Sequence, residues 1–272
     1  MKTARIAACI FIVSALGTAN AIPIVSSASG DNPAAISSTV DAYRVSLGAL
    51  NPNTSGSFGS GRREINWDGV PDAFSAPNNL PANFFNINSP RGAVFSTPGS
   101  GFQVSAKVGN VTATAVEFGN VNASYPALFA TFSAQRLFTA LGSTVTDVNF
   151  FIPGTTIPAT VSGFGAVFTD VDLPNISSLQ FFDQSNALLG TFYVPATVGR
   201  NEALSFVGVL FTTERISRVR IVAGNQPLSG LEVGDLVAMD DFIYAEPIPE
   251  PQTLALLLAG LGIVGFAARR AR

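Results

Sequence analysis

From Ala93 onward the chain breaks into short runs of β-branched and aromatic residues, separated by Gly, Pro, Asn, Asp and Ser. Eleven runs read as strands bounded by turns: 93–96, 101–106, 114–118, 127–132, 145–152, 160–169, 178–182, 188–194, 204–211, 216–222 and 236–244. Ile216-Ser217-Arg218-Val219-Arg220-Ile221 alternates apolar and polar positions, the period of a half-buried strand with Arg218 and Arg220 outward. No stretch of helical period separates successive strands, which disfavours βαβ crossovers. The pattern predicts an all-β fold, a two-sheet antiparallel β-sandwich of jelly-roll-like form. Helical period is confined to Ser38–Leu50, with Ser38 as N-cap, Asp41 in the first turn and Val40, Tyr43 and Leu47 on one face. Residues 23–37 read as a tether and 51–61 as a Gly/Ser/Asn loop. Gly163-Phe164-Gly165 lies inside a strand-like run with no lysine or helix after it, so it reads as a bulge or strand bend and not as a phosphate loop.

Both ends depart from this pattern. Lys2 and Arg5 precede an apolar run from Ile6 to Leu16, and Ala19-Asn20-Ala21 has the small-x-small form that signal peptidase cleaves. Cleavage is expected after Ala21. Cys9, the one cysteine, then leaves with the leader, and the mature chain has no thiol to oxidise. At the other end Pro247-Ile248-Pro249-Glu250-Pro251 leads into sixteen uncharged residues, Thr253 to Ala268, and then Arg269, Arg270 and Arg272. As a helix rising ~1.5 Å per residue the run would span roughly 24 Å against a hydrocarbon core of ~30 Å, a short transmembrane helix whose arginines snorkel. Arginines behind it and a leader in front place the body outside the inner membrane, in the periplasm.

Pro249-Glu250-Pro251, the apolar segment and the arginine cluster together resemble the PEP-CTERM sorting signal of Gram-negative bacteria that make extracellular polysaccharide. The resemblance covers roughly the last 25 residues and nothing of the body. It implies handling by exosortase, a membrane protease-transpeptidase, and a destination at the cell surface or in the extracellular matrix, with polysaccharide as a partner. It implies no activity, because bodies in that family are unrelated. The chain thus divides into a signal peptide (1–21), a tether, helix and loop (22–61), a sandwich domain (62–246) and a sorting and anchor segment (247–272).

Composition narrows the chemistry. The 272 residues contain no histidine, which removes Ser-His-Asp and Cys-His catalysis, imidazole-zinc sites and histidine proton shuttles. Between residues 22 and 246, 10 basic residues face 17 acidic ones, and Lys107 is an isolated lysine, so nucleic acid is not a partner. Twenty-two phenylalanines against one tryptophan and four tyrosines predict a phenylalanine-filled core.

Three constellations remain. In Arg62-Arg63-Glu64-Ile65-Asn66-Trp67-Asp68-Gly69-Val70-Pro71-Asp72, Trp67 could stack on a sugar while Asp68 and Asp72 accept its hydroxyls. The plainer alternative has Asp68-Gly69 as a turn, Trp67 plugging the sandwich and an arginine paired with Glu64. Asp170 and Asp172 lie two apart and share a side of an extended chain. With Asp240 and Asp241 from the last strand they could supply hard oxygens to a structural calcium ion, the alternative being solvated loop carboxylates. A glycosidase would need two carboxylates, with Glu64, Asp68, Asp170 and Glu202 as candidates and nothing selecting a pair. The expectation is a non-enzymatic binding or structural protein without a cofactor, and the alternative is a carbohydrate-active enzyme on the same scaffold.

Overall fold

The computed structural model describes residues 22–212, 216–230 and 234–249, together with Arg269. The predicted cleavage site at Ala19 and Ala21, the C-terminal apolar helix, and Glu250, Pro251, Arg270 and Arg272 lie outside the described residues. Among those described, no helix is long and apolar enough to cross a membrane. In chain order come β1 (Ile24–Gly30), α1 (Pro33–Leu47), β2 (Arg62–Ile65), a one-turn α2 (Phe84–Ile87), β3 (Ala93–Ser96), β4 (Gly101–Ala106), β5 (Arg136–Leu141) and β6 (Val145–Phe150). There follow β7 (Ala159–Thr160), β8 (Gly163–Thr169), β9 (Ser178–Phe182), β10 (Leu188–Tyr193), β11 (Leu204–Leu210), β12 (Arg218–Val222), β13 (Ala238–Ala245) and β14 (Ile248–Pro249).

Twelve of these strands form two antiparallel sheets packed face to face, and β7 and β14 form a separate two-stranded ribbon. Among the described residues one sheet runs β1-β11-β8-β13-β5-β4, with β2 also pairing to β13, and the other runs β10-β9-β12-β6-β3. Inner residues of both, among them Phe95, Phe150, Phe164, Phe181, Val219 and Phe242, share one apolar core. Trp67 sits at its centre. Its ring stacks on Phe138 at 4.1 Å and meets Phe242 and Phe85 edge-on at 5.0 and 5.3 Å. Loop 107–132 covers a second, smaller cluster built on Phe118, Tyr125 and Phe129.

Helix α1 covers the outer face of the larger sheet. Pro33 stands in its first turn and the Asn32 side chain accepts from Ala35 N, so the helix begins before Ser38, inside the expected tether. The rest of that tether is β1, which pairs with β11 along its whole length. Val40, Tyr43 and Leu47 face the sheet as the helical period requires. Tyr43 lies in a hollow lined by Gly163, Gly165 and Gly208, and its hydroxyl donates to Val209 O at 3.0 Å. A β-carbon on Gly165 would sit 2.9 Å from Tyr43 Cε1. These glycines therefore make room for a ring, and β8 passes through them in unbroken register with β11, with no bulge against it.

Two predicted strands are not strands. At 114–118 a single bridge joins Val116 to Ala106, and left-handed Glu117 (φ 41°) and Phe118 (φ 62°) end any extended run. Residues 127–132 are apolar because Phe129 packs on Phe118 and Tyr125 in the smaller core. Conversely β2 and β5 were not predicted. β5 is buried on both faces, Arg136 and Thr139 included, and its sequence has no period-2 alternation to betray a strand.

Candidate functional site

The Arg62–Asp72 segment is structural throughout. Its first residues form β2 against the end of β13. Arg63 is wholly buried and makes a two-pronged pair with Glu246, Nε to Oε2 at 2.6 Å and Nη2 to Oε1 at 2.9 Å. Its remaining donors reach Pro52 O and Pro90 O at 2.5 and 3.1 Å. Glu246 also accepts from Asn51 Nδ2 and Phe58 N. This ion pair pins the 51–61 loop to the last residue of the body. Glu64 instead meets Arg62 at 2.6 Å and Arg44 at 3.3 Å.

Trp67 is 1% exposed, so it offers no ring face to a sugar. Its backbone is left-handed (φ 63°) and closed by Val70 N donating to Trp67 O at 2.9 Å, the turn that drives the indole inward. Asp68 Oδ1 accepts from Gln135 N at 2.9 Å, and burial raises its pKa. Asp72 Oδ1 accepts from Arg136 Nη2 at 2.7 Å and Thr114 Oγ1 at 3.0 Å, and the Arg136 hydrogen bond holds its carboxyl below the usual range. Both carboxylates are spent holding the start of β5. The sugar platform of Trp67, Asp68 and Asp72 is replaced by a core plug and two clamps.

The four aspartates considered for calcium fall into two groups. Asp170 ends β8 in a left-handed conformation (φ 68°) and is buried, with Oδ1 lacking a hydrogen-bond partner. Burial pushes its pKa up to about 8, and the charges of Asp172 and Asp235 add to the shift. Asp172 Oδ1 accepts from Gly199 N and Arg200 N, while Asp235 accepts from Asp172 N and Leu173 N. Asp240 and Asp241 lie at a bulge, where the register of β13 on β8 slips so that the two face a single residue of β8. Asp240 accepts from Phe132 N, Ser133 N and Ser133 Oγ. Asp241 pairs with Arg44 at 2.8 Å. Burial raises both pKa values, Asp240 the more strongly. The aspartates of the two groups engage different neighbours, and among the described residues no three acidic side chains are arranged to hold a metal ion. The calcium set proposed from sequence is thus not assembled.

Glu202, one of the glycosidase candidates, lies within electrostatic reach of Glu117, a carboxylate that the sequence did not single out, at the loop end of the body. Glu117 is 5% exposed with Oε2 unpartnered, and burial pushes its pKa up to about 7, with the charge of Glu202 contributing. Glu202, too, is left-handed (φ 63°) and donates its N–H to Leu128 O. Neither residue belongs to a motif. Their approach depends on where loop 107–132 lies. Cavities on the body are modest. One of about 400 Å³ lies beside Phe95 and Phe102, and another of about 230 Å³ is lined by Asn149, Asp183, Asn186 and Arg218.

The chain leaves the body at Glu246. Pro247 packs over Gly92, and Ile248 and Pro249 pair with Thr160 and Ala159 as the β14–β7 ribbon. Residues 247–272 match one family, described as the PEP-CTERM protein-sorting motif. The chain carries a PEP-CTERM signal. That signal indicates export and membrane-associated sorting by an exosortase-like membrane protein. Its first three residues, 247–249, are tied to the folded body. No curated protein matches the chain. Among solved structures, the enzymatically active domain of tailspike protein 4 of bacteriophage CBA120 aligns at 12% identity and a TM-score of 0.29. The alignment covers 66% of this chain and 22% of the tailspike chain. A likeness that slight transfers neither fold nor activity.

Proposed function

We propose that this PEP-CTERM protein is a non-enzymatic surface or matrix protein. In this reading signal peptidase removes residues 1–21 and the uncharged 253–268 segment holds the chain in the inner membrane with its body in the periplasm. An exosortase-like enzyme then processes it near Pro249 for release to the cell surface, where the jelly-roll-like sandwich associates with extracellular polysaccharide. No cofactor is called for. The observation that carries the reading is the sorting motif at residues 247–272, attached to a body whose last residue, Glu246, is locked to Arg63. The support is positional: a compact cargo ends where the signal begins. Replacing Pro249, Glu250 and Pro251 by alanine is expected to leave the chain unprocessed in the inner-membrane fraction. Unchanged size and location would sink the proposal.

One observation favours a second reading, a glycan-active enzyme. Glu117, with a pKa near 7, beside Glu202 has the form of a general acid next to a second carboxylate. A polysaccharide screen discriminates the two. Turnover lost in both Glu117→Gln and Glu202→Gln variants would establish the enzyme, whereas saturable binding without turnover would establish the binding protein.

A further inference from the structure

The two flanks of the sandwich are finished differently. On one, β3 and β4 lie over each other, with Phe95 and Phe102 at 5.8 Å, and the loop between β2 and β3 seals both edges. Ala76 N donates to Val104 O, Leu80 N to Phe102 O, and Phe95 N to Ala82 O. The opposite flank carries β1 on the larger sheet and β10 on the smaller. They share a side, because Phe192 of β10 packs against Phe211, which follows β11, the neighbour of β1. Among the described residues, no backbone group bonds to the outer edge of either strand.

This flank lacks the usual protection. Exposed sheet edges are normally blunted by charge, proline, a bulge or a covering loop. From Ile22 to Gly30 there is no charged residue, and β1 contains neither proline nor a bulge. From Leu188 to Gly199 charge is absent as well, although a register shift after Leu188 interrupts the start of β10. Val25 and Ser27 oppose Val209 and Val207, which are fully buried on the inner face, yet both are exposed themselves, Val25 at 48%. Ile24, Leu188 and Tyr193, each more than half exposed, flank the same edge. Among the described residues, the charged pair near it, Asp31 with Arg200, is internally neutralised.

We propose that this flank is an interface between two copies of the chain, joined antiparallel through β1 about a two-fold axis normal to the sheets. Backbone groups of β1 pair with those of the second β1, extending the larger sheet across the dimer, and Leu188 of each β10 faces Tyr193 of the other. An isolated peptide could add to one edge only. A partner that covers both must itself present two open edges at the ~10 Å spacing of stacked sheets, and a second copy does so by construction. Absence of charge suits it further. Two acidic bodies repel, and among the described residues β1 and β10 bring no like charges into contact.

The test uses the full chain, made in a host without an exosortase and purified in mild detergent. Sedimentation is expected to give two chains per particle for the unaltered protein and one for the Val25→Lys/Ser27→Lys variant, with the β-sheet circular dichroism unchanged and the concentration dependence of the melting temperature lost. In a Cys9→Ala background, cysteines placed in turn at Val25, Ser27 and Ser29 are expected to yield a covalent dimer with a short thiol cross-linker, and a control Asn53→Cys is not. A single-chain particle for the unaltered protein, a lysine variant that remains paired, or equal cross-linking in the control would each overturn the proposal. None of these readouts depends on sorting.

Discussion

At the scale of single residues, buried charge is where this body is most sensitive. Arg63 and Glu246 satisfy each other inside the protein, so removing one partner strands the other. Arg63→Ala is expected to cost about 3–5 kcal/mol, read as a shift in the denaturant midpoint, and to expose the 51–61 loop to limited proteolysis before global unfolding. Asp170 and Glu117 act in the opposite sense. Their folded pKa values, about 8 and about 7, lie above those of unfolded carboxyls, so the folded state holds more protons in between. The stability they confer is complete below about pH 4 and is lost as pH rises through 7 and 8. Asp170→Asn is therefore expected to flatten the fall in melting temperature between about pH 5 and pH 8 and to raise its value at the upper end. A variant that melts with the same slope as the unaltered protein would contradict this assignment. Sequence singles out Asp170 but not its burial, since nothing in Phe168-Thr169-Asp170 says that a left-handed turn will bury the carboxyl beside Asp172 and Asp235, and Glu117 stands in no motif at all.

At the scale of elements, the contact between α1 and the larger sheet shows one residue class doing work that sequence attributes to another cause. Gly163, Gly165 and Gly208 are required by the Tyr43 ring, not by backbone conformation, since none of them has a left-handed φ. Gly165→Ala is expected to destabilise by about 1–3 kcal/mol through overpacking, with Tyr43→Ala in the same chain recovering part of the loss. If the two changes simply add, the ring and the glycine are not coupled. Strands with turns at both ends and visible alternation, such as β6 and β12, were legible, and β3, β4 and β9 fall where the pattern places them. Elements whose identity depends on a distant partner were not. β1 has the Ser/Ala composition of a tether and is a strand because β11 offers it a ladder. β5 lacks alternation because it is covered on both faces, with Arg136 and Thr139 buried alongside its apolar residues.

At the scale of the whole molecule, the pieces describe a cargo and its label. The body closes on itself through the Arg63–Glu246 pair, and the sorting segment departs through the β14–β7 ribbon within three residues of that lock. Local sequence was enough to establish the label, the antiparallel β class and the exclusion of histidine chemistry. Each of these depends on residue identity or short-range periodicity, which the chain carries without folding. Tertiary structure alone decided that Trp67 is a core plug, that Asp170 and Asp172 join Asp235 instead of Asp240 and Asp241, and that one flank of the sandwich stays open. Those outcomes depend on contacts between residues tens to hundreds of positions apart. Register, burial and loop closure set such contacts together, and no local pattern encodes them.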